Sequence, residues 1–259
     1  MDNRIINQWR VTKYNPDLRD ENGWYTLQEE WTCPSEIGKV FEGRIFTLED
    51  YLRTESAYIN AIVHFIHDSG INTLRILQLT KIDISESDKL STLYEDDFDQ
   101  LMLEEDWIVS EKEIRTIAKM VLRNFIWCQF YSSDTFFINF GWDYYMYIGS
   151  NNKCLSAIEN AANAGLFVEE FSSPYYFTEE DTTRMIQWNE IVDDDKLIVG
   201  DEELGDIALD DYRKIFNLSE EHPVIGSFII TEEQSAFLQK FMKHKMDFSK
   251  YEYTFCGEC

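Results

Sequence analysis

The sequence predicts an α+β fold, a largely antiparallel sheet with packed helices. Three observations carry that expectation. Strand-like runs follow one another across tight turns in 126–150, as hairpins do. Amphipathic stretches of helical period lie between runs of strands rather than alternating one for one with them, which a parallel sheet would require. Helix starts are marked by capping pairs, Thr47 with Asp50, Ser110 with Glu113 and Thr231 with Gln234.

In chain order, "NQWRVTKY" reads as a strand, "NPDLRDENG" as a turn-rich loop, "WYTLQEEW" as a returning strand and "PSEIGKVF" as a short helical turn. A helix over about 48–68 carries the stripe Leu48, Tyr51, Leu52, Ile59, Ile62, Val63 and Ile66 and stops at Gly70. "NTLRILQL" is a strand. A helix over about 111–125 places Ile114, Ile117, Val121 and Leu122 on one side. "IWCQFY", "FFINF" and "YYMYIG" are strands, followed by a helix over about 154–164 and the strand "LFVEEF". "LDDYRKIF" is helical, "PVIGSFII" a strand, a helix runs from Thr231 to about Met242, and "YEYTF" ends the chain as a strand. This gives a main domain at 1–178, an acidic connecting segment at 179–206 and a small C-terminal β-α-β unit at 207–259, or the whole as one continuous domain.

The stretch "INFGWDYYMYIGS" sets a register. A three-residue loop at Gly141-Trp142-Asp143 pairs Phe140 with Tyr144, because Asp tolerates positive φ at the last position. Phe136, Ile138, Phe140, Tyr144, Met146 and Ile148 then share the core face. A two-residue loop, which would swap the partners, stays open. The opposite face carries Phe137, Asn139, Tyr145 and Tyr147. It is either packed under a helix, the expected arrangement, or offered to a partner, as Tyr and Trp are in binding hot spots.

Charge is the most informative feature. The chain of 259 residues holds 23 Lys and Arg against 49 Asp and Glu, a formal net of −26. That argues against direct binding to nucleic-acid phosphates or anionic membranes and favours a basic protein partner. The acid is concentrated: residues 83–106 carry −9 and residues 179–211 carry −11. Either segment is a solvated loop or a docking surface. Tyr94, Phe98, Leu101, Met102 and Leu103 interrupt the first, which Trp107 closes, and Met185, Ile186, Trp188, Ile191 and Val192 interrupt the second, so both segments belong to the folded body. The start lacks a secretory apolar stretch and no run of apolar residues would span a bilayer, which places the chain in the cytoplasm. Five cysteines, an odd number, do not make a disulfide framework there, and "CGEC" is a solitary C-x-x-C.

Catalytic motifs are missing: no phosphate-binding glycine loop, no nucleophile elbow and no H-E-x-x-H. His64, His67 and Asp68 form an H-x-x-H-D cluster off the apolar stripe, where solvated residues belong. Cys128 sits in a strand where a thiol would be buried and inert. Neither cofactor nor metal is expected.

"QWRVTKYNP", "RDENGWY", "IGKVF", "EDY" and "YINAIVHF", with "FGWDYYMYIGS" and "GLFVEEFSSPY", resemble an uncharacterised bacterial family. "GSFIITEEQSAFLQKF" with "YEYTF" is similar to the ending of small immunity-like bacterial proteins. The resemblance implies a cytoplasmic accessory protein, an antidote to a toxin. The functional expectation is therefore a non-enzymatic, immunity-type inhibitor of a basic toxin such as a nuclease. The expected partner-binding residues are Tyr94, Glu95, Asp96, Asp97, Glu104, Glu105 and Asp106, the hairpin tip Trp142 and Asp143, and Asp193, Asp194 and Asp195. Two alternatives stand beside it: a DNA mimic that occupies a DNA-binding defence protein, and a hydrolase that holds a metal with carboxylates.

Overall fold

The computed structural model describes residues 5–21, 25–26, 30–82, 84–85, 91–133, 135–176, 181–192 and 195–258; for 191–192, 195–196 and 258 it describes the backbone. The chain divides into two units, Met1–Tyr176 and Phe177–Cys259. The fold is α+β with a large antiparallel sheet, as the pattern of runs and caps predicts.

In the first unit, seven strands form one sheet. They are β1 (Asn7–Thr12), β4 (Thr73–Lys81), β5 (Ile108–Ser110), β6 (Ile126–Ser132), β7 (Phe136–Phe140), β8 (Met146–Ser150) and β9 (Phe167–Glu170). Their order is β5-β4-β6-β7-β8-β1-β9, and every pairing is antiparallel. A separate two-stranded ribbon, β2 (Val40–Phe41) with β3 (Arg44–Ile45), turns at Glu42 and Gly43, both at positive φ.

Three helices cover one face: α1 (Leu48–Asp68), α2 (Glu111–Leu122) and α3 (Leu155–Asn163). Both capping boxes expected for α1 and α2 form, Thr47 with Asp50 and Ser110 with Glu113. Tyr51, Tyr58, Ile62, Phe65 and Ile66 of α1, and Ile114 and Ile117 of α2, bury against the sheet. Such burial contributes about 1.5–3 kcal/mol for each large apolar side chain.

The β7–β8 register corrects one expectation. Phe140 pairs with Met146, not Tyr144, so the loop is five residues long. A two-residue shift preserves parity, and Phe136, Ile138, Phe140, Tyr144, Met146 and Ile148 all enter the main core. The opposite face is covered, but not by a helix. Phe137 and Tyr147 pack with Ile5 and with Tyr175 and Tyr176 of the segment after β9, and the Phe137 and Tyr176 rings stack at 4.6 Å. Ser173 bonds to Asn139 at 3.0 Å on the same side.

In the second unit, β10 (Thr183–Val192), β11 (Asp195–Glu203), β12 (Gly226–Ile229) and β13 (Glu252–Glu258) form an antiparallel sheet in the order β11-β10-β13-β12. Helices α4 (Leu209–Phe216) and α5 (Glu232–Leu238) contribute Tyr212, Phe216, Phe237 and Leu238 to its core, with Ile186, Tyr253 and Phe255 from the strands. The segment expected to connect two domains is thus a β-hairpin of the second unit's own sheet. Its period-two pattern, Ile186 and Trp188 inward, was hidden by acids on exposed positions. Among the described residues, no helix is long and apolar enough to cross a membrane.

Candidate functional site

The turn between α2 and β6 organises the most distinctive part of the first unit. Its residues serve two neighbours: Arg123 and Phe125 hold the first acidic loop, while Leu122, Asn124 and Ile126 line a cavity. Asn124 adopts positive φ, as a residue ending a helix often does.

Arg123 is anchored first from below. Its guanidinium grips Glu55 of α1 through two bonds of 2.6 and 2.8 Å, with both side chains 3% exposed. The same guanidinium donates to the Leu93 carbonyl and pairs with Glu95 at 2.7 Å. The Phe125 ring packs against Tyr94 at 5.5 Å and Phe98 at 5.7 Å. A buried arginine and a phenylalanine therefore fasten the acidic loop to the core.

That fastening sorts the acids of the first segment. Glu95 accepts from Lys119 at 2.9 Å as well as from Arg123. Burial pushes its carboxyl up, but these two cations outweigh burial and hold it below the usual carboxylate range. Glu105 accepts from the Gln78 and Leu79 amides at 2.8 and 2.7 Å, where β4 departs from regular register and Gln78 takes positive φ. Asp106 pairs with Arg75 at 2.7 Å, both side chains close to buried. These three, expected to face a partner, are committed to the fold. Asp96, Asp97 and Glu104 are exposed and have no ion-pair partner among the described residues. Tyr94 is half-buried and its hydroxyl donates to Asp99 at 2.7 Å. Met102, Trp107 and Ile108 are exposed beside these acids.

On the other side of the turn lies a cavity of about 540 Å³. Trp127 of β6, Tyr58 of α1, and Trp142, Tyr144 and Tyr145 of the β7–β8 loop are among its walls. Trp142 is 77% exposed and stacks on Trp127 at 5.9 Å. Asp143 is exposed at the same tip. Asp143 and Tyr144 stand at φ 54° and 62°, and the Tyr145 amide donates to the Trp142 carbonyl at 3.0 Å, the pattern of a mirror-image turn that glycine ordinarily serves. Tyr144 is held there: its hydroxyl donates to the Leu122 carbonyl at 2.9 Å, and the Tyr58 hydroxyl donates to its carbonyl at 2.6 Å. Burial pushes the Tyr58 and Tyr144 phenols up, so both stay protonated donors.

The structure therefore brings the first acidic loop and the Trp142–Asp143 tip to the two sides of one turn, which residue spacing alone did not reveal. Asp195 opens β11 in the second unit; Asp193 and Asp194 lie outside the described residues. In that unit Asp201, Glu203 and Asp206 are exposed, whereas the Glu202 carboxylate accepts from the His244 and Lys243 amides at 2.9 and 2.8 Å. Sequence reasoning missed Arg123, Trp127 and Tyr58. An arginine immediately after the apolar stripe of an amphipathic helix was the available signal for the first.

Residues considered for chemistry fall elsewhere. His67 pairs with Glu111 at 2.8 Å, and the Asp68 carboxylate accepts from the Ala157 amide in the first turn of α3. Among the described residues there is no group of three or more His, Cys, Asp or Glu able to hold a metal ion. Cys128 is buried, and burial pushes its thiol well up, away from the reactive thiolate. Cys256 is buried in β13, and Cys259 lies outside the described residues.

Residues 183–256 match a family described as a Domain of unknown function (DUF7683), a span that begins at β10 and ends within β13. No curated protein and no solved structure matches the chain.

Proposed function

We propose that this protein is an acidic inhibitor of the immunity type, which docks a basic protein on the end of the first unit built around the α2–β6 turn. One observation carries the reading: Asp96, Asp97 and Glu104, exposed and without ion-pair partners among the described residues, lie on the acidic loop that Arg123 fastens to this turn, and the same turn lines a cavity topped by exposed Trp142 and Asp143. The acids accelerate encounter with a basic surface, and the aromatics supply the desolvated contacts that slow release. A toxin that cleaves nucleic acid fits this chemistry, because its substrate site must be basic to hold phosphates. Covering that site would inhibit without any reaction. The position of the acids supports this reading, as does the internal pairing of Glu95, Glu105 and Asp106, which leaves a defined exposed set rather than a uniform acidic coat.

The test is capture from a bacterial lysate at low and moderate salt, with the Asp96→Asn, Asp97→Asn, Glu104→Gln triple variant run in parallel. The reading predicts one basic protein retained by the wild type, released as salt rises, largely lost by the variant, and inhibited one to one after purification. Equal retention by the variant, or retention of an active partner, would overturn it. Retention of several unrelated DNA-binding proteins would replace it with nucleic-acid mimicry.

A further inference from the structure

The geometry points to the cavity beneath Trp142 as a receptor for a guanidinium group, filled by an arginine side chain of the basic partner. The identity of that donor rests on the function proposed above; the recognition chemistry rests on the cavity.

Its volume, about 540 Å³, is in the range that encloses small ligands. Its walls present aromatic rings from three elements: Trp127, Tyr58, and the loop residues Trp142, Tyr144 and Tyr145. The faces of such rings attract cations, indole most strongly. Among the described lining residues, Asp143 is the one side chain that is charged at neutral pH. It has neither an ion-pair nor a hydrogen-bond partner among the described residues. The cation whose charge Asp143 feels is already engaged: the Lys13 ammonium bonds to Glu30 at 2.7 Å and lies 3.9 Å from the Tyr14 ring centre and 4.1 Å from that of Trp31. The protein thus cages one cation of its own with an acid and two rings. Asp143 acts on that ammonium only at longer range, with no ion pair or hydrogen bond to it, so its carboxylate keeps its contact positions open among the rings.

The backbone supports the assignment. Two consecutive non-glycine residues in the left-handed region are costly, and a bulky tyrosine there is a clear outlier. The two tyrosine hydroxyl bonds at Tyr144 hold that conformation, which keeps Trp142 and Asp143 at the cavity mouth. A guanidinium suits the site better than an ammonium, because a flat cation stacks on indole while its edge donates to a carboxylate.

The protein is titrated with arginine amide at about 0.15 M salt, where general surface attraction is screened. Tryptophan fluorescence reports occupancy. Citrulline amide, of similar shape and with the same α-amino group but an uncharged side chain, and lysine amide are the controls. Saturable binding of arginine amide is expected, with both controls about tenfold weaker. Trp142→Leu and Asp143→Asn should each weaken arginine amide by about fivefold or more. Trp142 is mostly exposed and Asn accepts positive φ, so urea unfolding should stay at wild-type values for both variants. No saturable binding, equal binding of citrulline amide or lysine amide, or wild-type affinity in both variants would overturn the assignment. Excess arginine amide should also displace the captured partner, which separates an arginine of the partner from a free small cation as the natural occupant. If capture succeeds while arginine amide fails, the inhibitor reading survives and the guanidinium receptor does not.

Discussion

Replacing Arg123 by methionine isolates the anchor beneath the acidic loop. In the native protein the guanidinium satisfies Glu55 through two short bonds at a site where both side chains are 3% exposed. Methionine fills much of the space but leaves Glu55 with Tyr51 as its donor, at 3.0 Å. Stranding a buried carboxylate in this way costs about 3–5 kcal/mol. For a unit of this size each kcal/mol lowers the melting temperature by roughly 2–4 °C, so a loss of about 6–20 °C is expected. The companion variant Glu55→Leu, Arg123→Met removes both charges, and its stability should return to within about 1 kcal/mol of wild type or rise above it. Yet Glu95 would still lack one of its two cations and the Leu93 carbonyl its donor, so amide exchange across residues 93–99 should stay fast in both variants. Urea unfolding and hydrogen exchange read the two effects separately. A single variant that loses less than about 1 kcal/mol, or a double variant no more stable than the single, would refute the reasoning.

Glu105→Ala leaves two β4 amides without an acceptor and should cost about 1–3 kcal/mol in urea unfolding, while Asp97→Asn on the exposed turn should leave stability unchanged. Gly200→Ala would place a Cβ 2.5 Å from the Trp188 ring, which is itself stacked on His244 at 4.0 Å, and should cost about 1–3 kcal/mol; Gly205→Ala meets nothing within 4 Å and should be neutral. Burial lowers the Lys13 pKa from 10.5 to about 8. Between those values the unfolded chain holds a proton that the folded one has released, so stability should rise with pH from about 8 until tyrosine ionisation in the unfolded chain reverses the slope near pH 10. Lys13→Met should flatten that rise in unfolding measured across the window. In the other direction, Arg19 and Arg10 outweigh burial and hold the Glu169 carboxyl below its ordinary value of 4.5, so this group's contribution should fade as pH drops below about 4.5 and be absent in Glu169→Gln.

Much of the scaffold was legible because local signals and tertiary packing agree. Thr47, Ser110 and Thr231 mark their helices, and the alternation in 136–148 selects the core face whether the loop has three residues or five. What stayed hidden depends on distant residues. β11 pairs along an acidic strand whose exposed Leu197, Ile198 and Val199 give no alternation, so it read as a linker. The cover over Phe137 comes from Tyr176, far along the chain. Within the candidate site, exposed Asp97 and fold-committed Glu105 look alike in sequence. They differ because the β4 irregularity at Gln78 presents free amides to Glu105 alone. The cavity needs Trp127, Tyr58 and Tyr144 from three elements, and Arg123 reads as surface until Glu55 is placed beneath it.

The central claim is that a basic partner docks on the end of the first unit organised by the α2–β6 turn. Hydrogen exchange of the protein with and without the purified captured partner tests it most directly. The account predicts protection concentrated in residues 94–108 and 141–145, weakening as salt rises. Protection confined to the second unit's strands, with 94–108 and 141–145 exchanging as in the free protein, would contradict it.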